Sequence, residues 1–349
     1  MASVNFRHRI IDSDGPENPH IKTAGDITGN GAEDALVASS NGGPLVWYEA
    51  PDWRRHVIAE PGSWSCDGKL VDMDGDGDLD VLISEWYGLD RLEWFENPLP
   101  EGDPRTDPWK CHVIGAPKAH DVTVGDIDGD GEMEICTRRQ GTLGADFTIW
   151  KRVAGEWRSR AVECPTGEGL ALGDLRGTGR LDVVIGDRWY ATPADIMTAD
   201  WAEHRIAEWH EDAVLRLADM NGNGRLDMVI TRSEGPYRMS WFEIPEDPIA
   251  GEWREHLIEP DIDFAHSLIV ADLNRNGLPD IVTAEMHQSD RKRVLVYMNQ
   301  GDGWERHVVA ETGSHNICVA DLGSHGPMTI LGANWSGDYQ PVEAWEVVT

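Results

Sequence analysis

Seven aspartates, Asp26, Asp72, Asp126, Asp174, Asp219, Asp272 and Asp321, each open a short polar loop. Six positions ahead of them stand His20, Cys66, His120, Glu168, Ala213, His266 and His315. Four imidazoles and a carboxylate at one recurring position are groups that exchange protons near neutral pH or ligate a metal. Asp67, Asp121, His210 and Asp212 lie close by in the chain. A second polar and aromatic set follows the apolar run after six of the loops: Glu85 with Trp86, Arg138, Arg188 with Trp189 and Tyr190, Arg232, Glu285 with His287, and Asn334 with Trp335. A base, a cation and a hydroxyl brought together can take a proton from beside a carbonyl or carboxylate, stabilise the enolate and protonate a departing oxygen. In that chemistry His120, His266 and His315 are the candidate bases, Arg138 the partner of the developing charge and Tyr190 the acid. His20, Glu85, Trp86, Arg188, Trp189, Arg232, Glu285, His287, Asn334 and Trp335 are the candidate substrate contacts, since a polar pocket with aromatic walls suits a sugar.

What must bring these residues together is a repeat. Successive first aspartates are about 45 to 54 residues apart, the length of a four-stranded propeller blade. Each copy reads as an apolar strand, the aspartate loop, a second apolar strand, a strand such as Trp47-Tyr48-Glu49, and a strand such as Trp53…His56-Val-Ile. Histidines at that last position, His8, His56, His112, His204, His256 and His307, recur in six copies and are assigned to blade geometry. The final copy ends at Trp345-Glu-Val-Val, and a spare outer strand, Phe6-Arg-His8-Arg-Ile-Ile, stands at the N-terminus. Pairing the two closes the ring and leaves no open sheet edge. The expectation is an all-β, seven-bladed β-propeller of four-stranded blades, with residues 1–349 as one domain. With the first strand of each blade innermost, the aspartate loops share one face. The starts of the first strands and the turns between second and third strands share the other, so the chemistry-bearing residues converge at its pore mouth.

The loops themselves carry metal-binding chemistry. Hard divalent cations take several oxygen ligands, which a run such as Asp72-Met-Asp74-Gly-Asp76-Gly-Asp78-Leu-Asp80 supplies. By donor count the candidates for structural calcium are Asp72, Asp74, Asp76 and Asp80, then Asp126, Asp128, Asp130 and Glu134. The Asn-rich sets are Asp219, Asn221, Asn223 and Asp227, and Asp272, Asn274, Asn276 and Asp280. The loop at Asp174 carries Arg176, whose guanidinium can stand in for a cation, and the loop at Asp321 has lost nearly all its donors. The competing reading is that the loops are Asx-turns holding tight corners without metal. A further divalent metal, held by the histidines of the mouth, is a second cofactor expectation.

The loop pattern resembles the FG-GAP, or VCBS-type, repeat, which implies a propeller of the kind found in integrin-type adhesion proteins and many secreted carbohydrate-related proteins. The runs Gly313-Ser-His315-Asn-Ile, Gly332-Ala-Asn334-Trp335 and Glu285-Met-His287 are similar to the propeller part of the fungal aldos-2-ulose dehydratases. A looser resemblance is to propeller-fold polysaccharide lyases. These resemblances imply a carbon–oxygen lyase or dehydratase acting by β-elimination on a uronate-containing glycan or a keto-sugar. The alternative is a non-catalytic propeller that binds a glycan or a protein, with Trp86, Trp189 and Trp335 as stacking platforms.

Composition narrows the partners. A net charge of -33, from 63 acidic and 30 basic residues, argues against nucleic acid and anionic membranes. No apolar run is long enough to span a bilayer. The opening Met-Ala-Ser-Val-Asn-Phe lacks the pattern of a leader, so the expectation is a cytoplasmic protein or a mature secreted form. Five cysteines without metal-ligand spacing read as reduced thiols, and the 16 tryptophans, mostly at matching blade positions, as packing residues.

Overall fold

The computed structural model describes residues 4–85 and 88–348, so Trp86 lies outside the described residues, as does the side chain of Cys66. Seven four-stranded antiparallel sheets form the blades of a propeller. Blade 1 runs through Pro19–Gly25, Asp34–Ser39, Gly43–Glu49 and Arg54–Gly62. Blade 7 is Cys318–Ala320, Thr329–Gly332 and Val342–Val348, completed by the N-terminal strand Asn5–Asp12. That strand pairs antiparallel from Asn5 opposite Val348 to Ile10 opposite Glu343, the expected closure. First strands of neighbouring blades lie side by side around the whole ring, blade 7 against blade 1 included, so they are the innermost elements.

Alternation along the second strands explains the packing. Leu36 and Ala38 point into a core shared with blade 2, where they meet Val81, Ile83 and Trp64. Ala35 and Val37 point the other way, into a core shared with blade 7 that contains Leu331, Val342 and Ala344. Each blade is thus apolar on both faces, and every core belongs to two blades. Full burial of one such side chain contributes about 1.5–3 kcal/mol. Close approach between blades also requires glycine: a Cβ at Gly25 would lie 2.9 Å from Leu79 and 3.1 Å from Leu70 of blade 2.

The outer-strand histidines close this scaffold. His56 stacks on Trp47 with ring centroids 4.4 Å apart, His112 on Trp94 at 4.2 Å and His256 on Trp241 at 4.0 Å. His56 and His112 also meet Glu49 at 3.0 Å and Glu96 at 2.6 Å. Cys111, Cys136, Cys164 and Cys318 are free thiols, the last three buried.

Candidate functional site

The inner-strand starts bring His20, His120, Glu168, His266 and His315 together on the propeller axis. Nε2 of His120 lies 3.3 Å from Oε2 of Glu168, and Nε2 of His266 lies 3.1 Å from the same oxygen. The other oxygen of Glu168 accepts from the Ser233 hydroxyl, and Gln140 donates to Oε2 at 3.2 Å. His266 stacks on His315 at 4.2 Å, and His315 on His20 at 4.5 Å. A row of rings and one carboxylate therefore bridges from blade 1 to blade 3. Trp335 meets it edge-on, 5.2 Å from His20 and 5.9 Å from His315. All five residues of the row are at most 5% exposed. This corrects the expectation of an open pore mouth: the first strands approach so closely at the axis that the rings stack inside it. One side of the row, formed by His120, Glu168 and His266, lines an axial cavity of about 380 Å³.

Charge is unevenly distributed along the row. Burial alone would push the Glu168 carboxyl up, but the charge and hydrogen bond of His266, with His120 and Ser233, outweigh it and hold the group down at about 2. Burial opposes the charged form of His266, and Glu168 more than reverses this, so His266 is raised. His315 is driven well below the ordinary histidine value, by burial first and then by the charges of His266, His20 and Lys22. Asp212 and Glu234, at the edge of the row, are raised chiefly by burial.

Several expected site residues stand elsewhere. Tyr190 is buried in the core between blades 3 and 4 and donates its hydroxyl to Glu203 at 2.8 Å, so it cannot serve as the acid. Trp189 is buried and stacks on His204 at 4.4 Å, which removes it as a sugar platform. Arg138 is buried with its guanidinium on the carbonyls of Gly169, at 2.7 Å, and Pro165, at 3.1 Å, tying blade 3 to the approach of blade 4. Glu285 is buried under the guanidinium of Arg293, at 2.6 and 3.0 Å, and Glu85 accepts from the amide of Ser63 at 3.3 Å. For Tyr190, Arg138, Glu285 and Glu85 a polar group near a turn is consumed by its own scaffold.

Arg188 pairs with Asp187 at 2.9 Å and Glu203 at 2.7 Å, and with Arg138 and Arg232 it lines a separate cleft of about 400 Å³. His287 reaches Trp335 edge-on at 5.5 Å, and Asn334 donates to the carbonyl of Thr312 at 2.8 Å. The sequence reading missed Ser233 and Gln140, which hold Glu168. It also missed Lys22, Lys69 and Arg216 in the axial cavity, although Arg216, inside the otherwise apolar strand Ala213–Ala218, was a signal it contained.

The aspartate loops show two different uses of one motif. In the Asp72 loop the first aspartate accepts from the amides of Gly75 and Gly77, at 2.7 and 3.0 Å. Both glycines have φ near +90°, at +85° and +98°, a region that favours glycine. Asp80 is buried and clamps the amides of Met73 and Asn97, both at 2.8 Å. Oxygens of Asp72, Asp74 and Asp80 lie within 4.8 Å of one another, while Asp76 accepts the amide of Asp78 at 3.1 Å. The Asp126 loop differs. Oxygens of Asp126, Asp128 and Glu134 also lie within 4.8 Å of one another, and Nζ of Lys151 reaches Asp128 at 2.9 Å, Asp130 at 2.7 Å and Glu134 at 2.7 Å. Arg176 does the same in the next loop, on Asp182 at 2.7 Å.

In the Asn-rich loops the Asx-turn geometry dominates. Asp219 accepts the amides of Gly222 and Gly224 at 2.8 and 2.7 Å, while Asn221 and Asn223 accept those of Asn223 and Arg225 at 3.1 and 2.8 Å. Asp272, Asn274 and Asn276 repeat this with Gly277, Asn276 and Leu278. Asp227 and Asp280 are the buried clamps of those two loops, on the amides of Met220 and Leu273, both at 3.0 Å.

The fold and loops define a seven-bladed propeller with FG-GAP repeats: residues 72–137 and 219–283 match the FG-GAP-like repeat. Among characterised proteins, aldos-2-ulose dehydratase of Phanerodontia chrysosporium is 26% identical over 147 residues, a match covering 37% of this chain and 16% of the relative. The exotype rhamnogalacturonan lyase YesX superimposes with a TM-score of 0.54 at 12% identity, over 98% of this chain and 72% of the lyase. BBS1N, solved in complex with ARL6DN, superimposes with a TM-score of 0.61 at 10% identity, over 97% of this chain and 95% of BBS1N. At these identities the two structural likenesses speak to the fold alone.

Proposed function

We propose that the chain is a carbohydrate-active carbon–oxygen lyase or dehydratase that works in the axial cavity on a uronate-containing glycan or a keto-sugar. The observation that carries this reading is the meeting of His120 and His266 on one oxygen of Glu168 at the cavity wall. The partial likeness to a sugar dehydratase supports it. In the reaction, the imidazole of His120 takes the proton from the carbon beside the substrate carbonyl or carboxylate. The C–H electron pair becomes the new double bond, the bond from the β-carbon to its oxygen breaks, and protonated His266 gives its proton to that oxygen. Glu168 stabilises whichever imidazole is charged, and Asp121, 3.4 Å from Nδ1 of His120, orients that ring. Each turnover leaves the proton on His120, and Glu168, in contact with both rings, is the path that resets it. His315, held neutral and weakly basic, is a stacking partner in this scheme rather than a base.

The same three residues fit a divalent cation. Their donor atoms lie within 4.8 Å of one another, all three are buried, and the Asp121 carboxylate stands 3.4 Å from the far nitrogen of His120, on the side away from the shared oxygen. A cation held by His120, Glu168 and His266 supplies electrophilic polarisation of a substrate carbonyl. Elemental analysis separates the two uses. A stoichiometric metal that is lost in H266A establishes the cation, and turnover by metal-free protein establishes the proton pair.

On the opposite face we propose structural calcium in the Asp72 loop. Both carboxylate oxygens of Asp78 are buried there without a hydrogen-bond partner, beside the converging oxygens of Asp72, Asp74 and Asp80. Without a cation, burial and then the charges of Asp76, Asp80, Asp74 and Asp72 push Asp78 up to about 7. Calcium titration followed by melting temperature tests this; no shift in wild type, and none lost in D72N, rejects it.

The functional test is incubation with uronate-containing glycans and keto-sugars, scored for an unsaturated sugar product. Product from wild type but not from H120A supports the lyase. Saturable glycan binding without product from any of them supports the non-catalytic propeller instead.

A further inference from the structure

Beneath the histidine row the axial cavity is lined by charges that the elimination does not use. The first strands of blades 1, 2 and 5, Pro19–Gly25, Trp64–Val71 and Ala213–Ala218, bring Lys22, Lys69 and Arg216 to it. Around them the lining holds Ala, Leu, Val and Ile side chains, the polar Thr23, Thr123, Ser267 and Asn316, and the acids Asp67, Asp121 and Glu168; a buried charge is costly unless it is partnered. Nζ of Lys69 lies 2.5 Å from Asp67, and Nζ of Lys22 donates to the carbonyls of Pro19 and His20. Arg216 is different. One of its nitrogens donates to the carbonyl of Leu215 at 2.8 Å, and it has no carboxylate within 4.0 Å among the described residues.

The acids nearest in influence, Asp67 and Asp121, are committed elsewhere. Asp67 takes Lys69 and the amide of Val122 at 3.3 Å; Asp121 takes the amide of Gly169 at 3.2 Å and faces His120. A guanidinium carries five N–H donors in a planar fork. Among the described residues one of those on Arg216 has a protein acceptor, the Leu215 carbonyl, while the cavity beside them has about 380 Å³, room for a sugar ring.

We propose that the axial cavity is an oxyanion site in which Arg216 holds the carboxylate of a sugar acid, the identity of the sugar resting on the lyase reading above. Carboxylate matches the guanidinium fork with two parallel hydrogen bonds, which a neutral hydroxyl cannot do. Lys22 adds positive potential inside a chain whose net charge of -33 otherwise repels anions, while Lys69 is offset by Asp67. His120 and Arg216 line the same cavity, so a substrate anchored by its carboxylate has its acidic carbon, the one next to that group, inside the chamber that holds the base.

Calorimetric titration of the full chain with glucuronate, inorganic phosphate and glucose tests the site directly. Glucuronate is expected to bind wild type at least tenfold more tightly than glucose. R216M is expected to lose at least tenfold, and R216K to fall between. R216M removes a cation that lacks a protein counter-ion and is expected to melt no lower than wild type. R216K carries the test if R216M does not fold. Phosphate that competes with glucuronate identifies a general oxyanion site, and phosphate that does not compete identifies one specific for carboxylate; both support the proposal. Equal binding of glucuronate and glucose, or undiminished glucuronate binding by R216M and R216K, overturns it. Arg216-dependent binding with no product from any substrate removes the lyase reading and leaves this site standing. Turnover of a neutral keto-sugar without Arg216-dependent binding does the reverse.

Discussion

The two ends of the innermost strands obey different rules. At one end, the loops opened by Asp26, Asp72, Asp126, Asp174, Asp219 and Asp272 satisfy themselves locally, first aspartate on backbone amides and last acid as a buried clamp. At the other end four blades contribute histidine and the rest other residues, and these meet across the axis, as Glu168 of the blade 4 approach does with His120 and His266. Repetition at the loop end marks residues that hold each blade. Asymmetry at the axial end marks residues that have no meaning until the ring closes. Substitutions at the first end should therefore change stability and leave chemistry alone, and those at the second should do the opposite.

The largest expected effect is at the axis. H120A should lower turnover by about 10²–10⁴, the usual contribution of a positioned general base, with glycan binding retained in a calorimetric titration. A parallel loss of binding would mean that the row is structural after all. Next comes K151M, which strips the ammonium from Asp128, Asp130 and Glu134. Breaking a largely buried ion pair costs ~3–5 kcal/mol, so a large drop in denaturant midpoint is expected in chelator. Added calcium should restore much of it, because the loop then becomes a copy of the Asp72 loop. Failure of calcium to rescue would show that the two loops are not equivalent even when stripped.

A smaller effect is expected from chelating wild type itself. Saturating calcium at 100 times its dissociation constant stabilises by about 2.7 kcal/mol, a shift that D72N should abolish while leaving turnover intact. The smallest concerns Asp34, a buried clamp on the amides of Ala50 and Ile27. Burial raises it from 3.8 to about 7. A raised folded value means that the folded state holds the proton more tightly. Its contribution is complete below about pH 4 and lost as pH rises through about 7. D34N should flatten the fall in stability across that window, as read from urea midpoints at successive pH values.

The ring and its closure were legible because period, strand alternation and the spare N-terminal strand all repeat information along the chain. The row of histidines was legible as a set, since one register position fixes which residues reach the axis. Its burial was not, because stacking of His20, His315 and His266 depends on how closely seven strands approach. Tyr190, Trp189 and Arg138 misled for a related reason. A residue two positions from a turn points into the core or toward the pocket according to strand register, and each of the three found a partner within the scaffold. Counting carboxylates placed the Asp126 loop beside the Asp72 loop, and oxygens converge in both; what it left out is Lys151, on the next strand but one, whose ammonium reaches three acids of the Asp126 loop.

The central claim is that His120 removes a proton from a carbon acid in the axial cavity. The most direct measurement is exchange of that hydrogen in deuterated water, followed by NMR on a keto-sugar and on a glucuronate-containing oligosaccharide. Wild type is expected to exchange or eliminate the hydrogen beside the carbonyl or carboxylate, and H120A to bind the same ligand without exchanging it. Bound ligand whose hydrogen stays in place with wild type, or exchange that proceeds equally in H120A, would contradict the account.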